Sequence, residues 1–168
     1  QTDTGDEATV RRMLGRLERR GPDDAGVAVE PRVVLGNRRL AILDLSHAGH
    51  QPMVSDSGRF VVTLNGEIYN YRELARELGL GPGALRSGSD TEVLLHAWER
   101  WGPEALPRLV GQFAFALHDR TTGRLWITRD RFGEKPLFYH ETAARIAFAS
   151  SLEALLEDRS IARALDRA

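Results

Sequence analysis

Apolar residues near the start of the chain recur at helical spacing. Val10, Leu14 and Leu17 are separated by four and three residues, which predicts a helix over residues 7–19. The polar residues 1–6 are expected to form a frayed start. The first structured element is therefore predicted to be a helix with one buried face.

The next part of the chain has the short apolar runs that are typical of strands. We expect strands over residues 25–29, 32–35, 38–45 and 60–64, the last of which leads into Asn65-Gly66. Both residues of this dipeptide tolerate positive φ, so its simplest interpretation is a hairpin turn. The polar residues that follow it are more numerous than a turn requires. An Asn side-chain amide and a Gly N–H are also two adjacent hydrogen-bond donors, which could stabilise an oxyanion that develops during a reaction.

The second half of the chain combines helix signals with a strand that has two apolar faces. Ser89 and Glu92 have the spacing of a capping box, and Gly102-Pro103 marks the end of the helix that follows. In residues 112–119, large apolar side chains alternate with alanine, which indicates a strand buried on both sides. Further elements are expected as follows: helices over 71–78, 103–110 and 151–156, and strands over 125–128, 137–140 and 146–149.

Short strands joined mainly by hairpins, with helices between them, predict an α+β layered domain. A chain of 168 residues is long enough for one domain with a sizeable core. We place that domain at residues 1–156 and interpret residues 157–168, which are charged and rich in alanine, as a tail or linker.

Composition excludes several classes of function. Hydrophobic residues make up 42% and charged residues 28%, and the net charge of −1 does not favour nucleic acid or an anionic membrane as a partner. The polar start shows no signal peptide, and we expect a cytoplasmic protein. The chain has no cysteine, and its five histidines show no metal-ligand spacing, so no disulfide and no metal site are predicted.

Seven short motifs occur in a fixed order between residues 19 and 150. They lie at residues 19–26, 38–45, 48–53, 65–70, 87–93, 111–116 and 129–137. Each is weak alone, but together they resemble the class II glutamine amidotransferases, and most closely the glutaminase domain of asparagine synthetase. The resemblance implies a four-layer αββα sandwich of mainly antiparallel sheets, the fold of the N-terminal-nucleophile hydrolases.

Free glutamine carries a carboxylate, an ammonium and a side-chain amide, and the motifs offer a partner for each. Arg39 matches the arginine that the family uses for the α-carboxylate, and a guanidinium suits that role because it can bind bidentately. Its neighbour Arg38 would lie on the opposite face of a strand. Asp90 and Glu67 match the family's contacts to glutamine, Asp90 at the ammonium.

The resemblance also assigns the groups around the reacting amide. Asn65 and Gly66 match the oxyanion hole, and Ile42 and Leu43 match positions whose backbone lines the glutamine pocket. No cofactor is implied for this domain. ATP and Mg²⁺ are expected only in a C-terminal synthetase domain.

The nucleophile departs from the family pattern. The family uses a cysteine at the mature N-terminus, with its own α-amine as the base, and this chain has none. We reject Thr2 and Thr4 as substitutes because neither is terminal and neither opens an apolar strand. The expectation is that the chain starts roughly ten residues after the cysteine, about the length of a long strand; a homologue that truly lacks cysteine is the alternative.

The sequence therefore supports three hypotheses. The first is a glutaminase domain of an asparagine synthetase-like ligase that acts in asparagine biosynthesis, with L-glutamine and a synthetase domain in cis as partners. The second is a non-catalytic module that packs on a synthetase domain and still binds glutamine. The third is another class II amidotransferase. A homodimer is left open, and this chain alone is expected to be inactive.

Overall fold

The computed structural model describes residues 4–163, which form four layers in the order helix, sheet, sheet, helix. Helices α1 (Thr4–Arg16) and α4 (Leu152–Leu155) cover two small sheets, and α2 (Tyr71–Glu77) and α3 (Asp90–Trp101) lie on the other side of a four-stranded sheet. The predicted αββα sandwich is confirmed. Residues 1–3 lie outside the described part, and residues 4–6, expected to be frayed, belong to α1.

All the strand pairs are antiparallel. Strand β1 (Asp24–Glu30) pairs with β2 (Val33–Arg39), and β7 (Phe138–Glu141) pairs with β8 (Ile146–Ala149). The four-stranded sheet has the order β3-β4-β5-β6. Its strands are β3 (Met53–Val54), β4 (Phe60–Ile68), β5 (Gly111–Asp119) and β6 (Leu125–Arg129). Two 3-10 helices, His47–Gly49 and Gly102–Arg108, complete the regular structure of residues 4–163.

Strand β5 is buried on both faces, as its alternation of large and small residues predicts. Phe115 and Leu117 belong to the core cluster under α3, where the Trp98 ring meets that of Phe115 edge-on at 5.8 Å between centroids. Ala116 faces the other way and packs against Leu35 of β2. The small Ala116 side chain lets the β1-β2 sheet approach the four-stranded sheet closely. The residues of β5 therefore contact both halves of the sandwich.

The predicted strand over residues 38–45 is wrong, because only its first two residues are in a strand. Arg39 ends β2, and the chain then curls so that the Arg39 guanidinium donates to the backbone carbonyls of Asp44 and Ser46. The curl that brings these two carbonyls to the guanidinium is incompatible with an extended strand over residues 40–45. Residues 41–50 therefore form a loop, which we call the Arg39 loop.

The hairpin predicted at Asn65-Gly66 is also wrong. Both residues lie inside β4, opposite Ala114 and Phe113 of β5. Gly66 has a φ of +136°, and a Cβ there would overlap the backbone oxygen of Gln112. The glycine is needed because of a close approach between two paired strands, and the strand continues through it.

Replacement of Gly66 by alanine should destabilise the fold by about 3–5 kcal/mol, since backbone strain and overpacking act together. Gly58→Ala is the matched control. Gly58 also has positive φ (+72°), but a Cβ there would meet nothing within 4 Å, so the expected cost is about 1–2 kcal/mol. Urea denaturation of both variants measures the difference. Equal costs would contradict a steric requirement at Gly66.

The start of α3 is capped as predicted, with one change. The Ser89 side chain accepts a hydrogen bond from the Thr91 N–H at 3.2 Å. The Glu92 carboxylate does not return to Ser89; it accepts from the backbone N–H groups of Arg86 and Ser87 at 2.9 and 2.7 Å. The segment before the helix is thus fixed to its first turn, and this places Asp90.

Residues 157–163 pack on the domain. Asp158 is buried and accepts from Arg145, and Ile161 lies against the cluster of Met13 and Leu155. The domain boundary at residue 156 stays a prediction. Within residues 4–163, no helix has the length and apolar character needed to cross a membrane.

Candidate functional site

A cavity of about 640 Å³ separates the two small sheets. Strand β2 lines one side and β8 the other, α1 lies above, and β4 and β5 form the floor. Within the described part of the chain, β2 pairs only with β1 and β8 only with β7, so both strands have an unpaired edge. The layer therefore has the form of a sheet that is interrupted between β2 and β8.

Asn65 lines this cavity, and its side chain carries an unusual polar group. The Asn65 Nδ2 atom is buried, yet it has no hydrogen-bond partner among the described residues. A buried amide donor without a partner costs about 1–3 kcal/mol, and such groups are uncommon in folded proteins. The donor is explained if its partner is a bound substrate.

A network of buried side-chain amides holds the strand that carries Asn65. Gln51 Oε1 accepts from the backbone N–H of Leu64 at 2.7 Å, and Gln51 Nε2 donates to Thr91 of α3 at 3.2 Å. Asn37 of β2 donates to Thr63 at 2.9 Å. The network ties β2, β4 and α3 together immediately beside Asn65, so it fixes that residue in position.

Replacement of Gln51 by alanine should destabilise the protein by about 2–4 kcal/mol, because it leaves a void and removes the partners of the Leu64 N–H and the Thr91 hydroxyl. Asn70→Ala is the control. Asn70 also makes two side-chain hydrogen bonds, with Arg108 and Val110, but near the surface, and its loss should cost about 1 kcal/mol. Chemical denaturation compares the two variants. A smaller loss of stability in Gln51→Ala than in Asn70→Ala would contradict a stabilising role for the buried network.

Arg39 and Arg38 lie on opposite faces of β2, as strand alternation requires. Arg39 Nη1 donates to the Ser46 carbonyl at 3.1 Å, and its other terminal nitrogen donates to the Asp44 carbonyl. Arg38 instead forms an ion pair with Glu18 at 3.3 Å. Arg39 is thus bound by backbone carbonyls and forms no direct ion pair within the described residues, although the Asp44 carboxylate lies near enough to feel its charge.

Asp44 connects the Arg39 loop to the start of α3. Its carboxylate accepts from the backbone N–H of Ser46 and of Gly88, both at 2.8 Å. Hydrogen bonds from Ser46 and from Gly88 hold the pKa of Asp44 below its ordinary value. Since Gly88 lies two residues before Asp90, this link brings the Arg39 loop to the same end of α3 as Asp90.

Asp90 is buried at the first turn of α3, where its carboxylate accepts from the Ile68 N–H at 2.7 Å. Burial raises the pKa of Asp90, and the nearby negative charge of Glu67 adds to the rise. Within residues 4–163, neither carboxylate forms an ion pair with a basic side chain. Two neighbouring carboxylates of this kind form an environment that favours a bound cation.

The remaining predicted site residues lie at the edge of this region. Ile42 and Leu43 are exposed in the Arg39 loop, and the Leu43 carbonyl approaches Gly88. Of the seven predicted residues, Asn65 is the one that lines the cavity, and Arg39, Glu67 and Asp90 lie outside its lining. That they line one pocket with Asn65 stays a prediction.

Three residues that position the site were not identified from the sequence. Gln51 lies in one of the seven motifs, but nothing in its neighbourhood indicates a bond to Leu64. Asn37 and Asp44 look like ordinary polar residues of a strand and a loop. Their roles depend on contacts across 26 and 44 residues of sequence, to Thr63 and Gly88.

Comparison with known protein families identifies a match over the whole chain. Residues 1–168 match the family model described as a glutamine amidotransferase domain. The chain is 37% identical over 164 residues to asparagine synthetase [glutamine-hydrolyzing] 3 of Bacillus subtilis, which covers 96% of this chain and 26% of that protein. It is 39% identical over 145 residues to asparagine synthetase B [glutamine-hydrolyzing] of Escherichia coli, covering 85% of this chain and 26% of that protein. The chain thus spans about a quarter of these relatives' length.

Solved structures support the same fold. The glutamine phosphoribosylpyrophosphate amidotransferase from B. subtilis superimposes with a TM-score of 0.73 at 22% sequence identity, over 88% of this chain and 40% of that one. At this identity the match concerns the fold alone. It agrees with the layers and antiparallel sheets described above.

Proposed function

The chain belongs to the glutamine amidotransferase domain family, and from this premise we propose that it hydrolyses glutamine to glutamate and ammonia for a synthetase domain of the same protein. The observation that carries the proposal is the buried, unpartnered Asn65 amide that lines the cavity between β2 and β8. A donor that is held in place without a partner can stabilise an oxyanion at no cost in reorganisation.

In the proposed reaction, a thiolate attacks the side-chain amide carbon of glutamine. The carbonyl oxygen becomes negative, and the Asn65 amide and the Gly66 N–H stabilise that charge. The C–N bond then breaks, the nitrogen takes a proton and leaves as ammonia, and a thioester remains. Water attacks the thioester, which releases glutamate and the thiol.

The proposed substrate contacts follow from charge. Arg39 binds the α-carboxylate, and the backbone carbonyls of the Arg39 loop orient the guanidinium without neutralising it. Asp90 receives the α-ammonium, with Glu67 nearby, because a positive charge stabilises a carboxylate whose pKa is raised by burial and, to a smaller extent, by the charge of Glu67. Ile42 and Leu43 contribute backbone groups at the rim.

The thiol is the one group that these 168 residues do not contain. We assign it to an N-terminal cysteine on a strand that occupies the cavity between β2 and β8. Such a strand would pair with both unpaired edges and bring the cysteine to Asn65. A second candidate function is a module that binds glutamine without hydrolysing it, which the Arg39 guanidinium and the Asp90 carboxylate support because neither needs a nucleophile in order to bind.

The family relationship supports the remaining parts of the proposal. The named relatives are glutamine-hydrolysing asparagine synthetases, so an asparagine synthetase-like ligase is the proposed whole protein. Its second domain would use ATP and Mg²⁺, and this domain would need no cofactor. We propose a cytoplasmic location and leave a homodimer open.

Arg39→Ala, in a domain extended with an N-terminal cysteine strand, should raise the KM for glutamine at least about tenfold and change kcat little. The reason is that the α-carboxylate contact is equally strong in the ground state and the transition state. Arg38→Ala is the matched control: its side chain lies on the opposite face of β2, where it lines the cavity assigned to the strand, so it should change KM much less. Ammonia release over a range of glutamine concentrations gives both constants. A raised KM in Arg38→Ala together with an unchanged KM in Arg39→Ala would contradict the proposed binding mode.

A further inference from the structure

A cluster of two imidazoles and one carboxylate connects the Arg39 loop to strand β1. It consists of Asp24 at the start of β1, His47 in the 3-10 turn, and His50 just after it. One ligand atom from each residue lies within 4.8 Å of the other two. We propose that these three residues form a binding site for a divalent transition-metal ion of the Zn²⁺ or Ni²⁺ type.

The geometry is close to what such an ion requires. The Zn–N and Zn–O bonds are about 2.0–2.2 Å, so ligand atoms around a tetrahedral ion lie roughly 3.3 Å apart. Asp24 Oδ2 and His50 Nδ1 are 2.6 Å apart, and the His47 and His50 rings meet edge-on with centroids 5.0 Å apart. An ion would replace the proton that Asp24 and His50 share and would need shifts of about 1 Å. His47 is exposed and free to make them.

The site is partly organised in advance. The His50 ring packs on the backbone of β1, since a Cβ at Gly26 would lie 2.7 Å from His50 Nε2. This packing leaves Nδ1 as the atom that faces Asp24. The Asp24 carboxylate is held from its other oxygen, since Oδ1 accepts from the Ala25 N–H at 2.8 Å. Its Oδ2 atom therefore stays on the side of His50.

The chemistry of the donors selects the class of ion. Imidazole nitrogens suit Zn²⁺, Ni²⁺ and Cu²⁺, whereas Mg²⁺ and Ca²⁺ prefer oxygen ligands. Three protein ligands with one open position for water complete a four-coordinate ion. An ion bound here joins β1 to the turn that carries His47, so it should hold the Arg39 loop in place.

A second group of similar composition, Asp56, Glu92 and His96, is a poorer candidate. The Glu92 carboxylate already accepts from the backbone of Arg86 and Ser87, and Arg86 also forms an ion pair with Asp56. Both carboxylates of that group are thus occupied. His96→Asn therefore serves as a control in the test below.

Calorimetric titration of the tag-free chain with ZnCl₂, and separately with NiCl₂, at pH 7.5 tests the proposal. One ion should bind per chain. His47→Asn and His50→Asn should each weaken binding at least about 100-fold, since even an outer partner of a ligand contributes 10- to 100-fold. His47 is exposed, so its replacement leaves the fold intact, and circular dichroism verifies this. Lack of saturable binding, or binding lost in His96→Asn and kept in His47→Asn, would overturn the proposal.

A second measurement locates the ion. At a Zn²⁺ concentration 100 times the dissociation constant, the Tm should rise by roughly 5–10 °C. Amide hydrogen exchange should slow mainly in residues 41–50 and at the start of β1. A Tm increase without slower exchange in this loop would place the ion elsewhere and would count against the site.

Discussion

Extension of the chain with a cysteine-first strand is expected to convert an inactive domain into a glutaminase. The chain alone should release no ammonia above background, because the oxyanion hole acts only after a nucleophile has attacked the amide. A segment of about ten residues, the length of a long strand, taken from a relative and beginning with cysteine after removal of the initiator methionine, should restore turnover. The measurement is ammonia release from glutamine by both proteins.

The control for this experiment is the same extension with alanine in place of the first cysteine. It should fill the cavity and stabilise the fold without giving turnover, since water without a positioned base is a poor substitute for the thiolate. Turnover by the chain alone, or by the alanine extension, would contradict the proposed mechanism. Failure of every extension to fold into the cavity would contradict the assignment of that cavity to a strand.

Asn65→Ala in the restored domain should lower kcat about 100- to 1,000-fold, with a much smaller effect on KM. This is the usual cost of one oxyanion donor, which acts most strongly on charge that develops in the transition state. The variant should fold normally, because the Asn65 Nδ2 atom has no partner to lose among the described residues. Steady-state kinetics separate the two constants.

Asn70→Ala is the matched control for Asn65. It removes the same amide group five residues along the same motif, but from a side chain that bonds Arg108 and Val110. We expect a small loss of stability and a kcat within a few-fold of the parent. An Asn65 variant with unchanged kcat would exclude its role in the oxyanion hole.

The parts of the fold that were predicted correctly depend on local patterns. The two faces of β5 follow from alternation of large and small residues, and the start of α3 follows from the Ser89 cap. Both signals lie within a few residues of the feature that they predict. The resemblance to a family then supplied the layer arrangement, which no local pattern contains.

The errors have a common physical cause, which is competition from distant contacts. Asn65-Gly66 has the local signal of a turn, but pairing with β5 keeps it in an extended strand. Residues 40–45 have the apolar spacing of a strand, but Arg39 takes the carbonyls of Asp44 and Ser46. In each case an interaction with another part of the chain, or with a long side chain, overrides the local preference.

The assignment of Arg39, Asn65 and Asp90 to one site comes from motifs and stays a prediction. The hydrogen bonds of Gln51 and Asp44 beside these residues could not be predicted from the sequence. The cluster of Asp24, His47 and His50 was missed because 23 residues separate its first two members and no spacing rule joins them. Antiparallel pairing of β1 with β2 is what places Asp24 beside the loop that carries both histidines.

The most direct test of the proposed glutaminase site is covalent labelling of the restored domain with a diazoketone analogue of glutamine. Intact-mass and peptide mass spectrometry should show a single adduct, on the N-terminal cysteine, that excess glutamine prevents and that Arg39→Ala slows. The account would be contradicted by a cysteine that reacts equally fast in the presence of glutamine, or by no reaction in a domain that is folded and has the strand in the cavity.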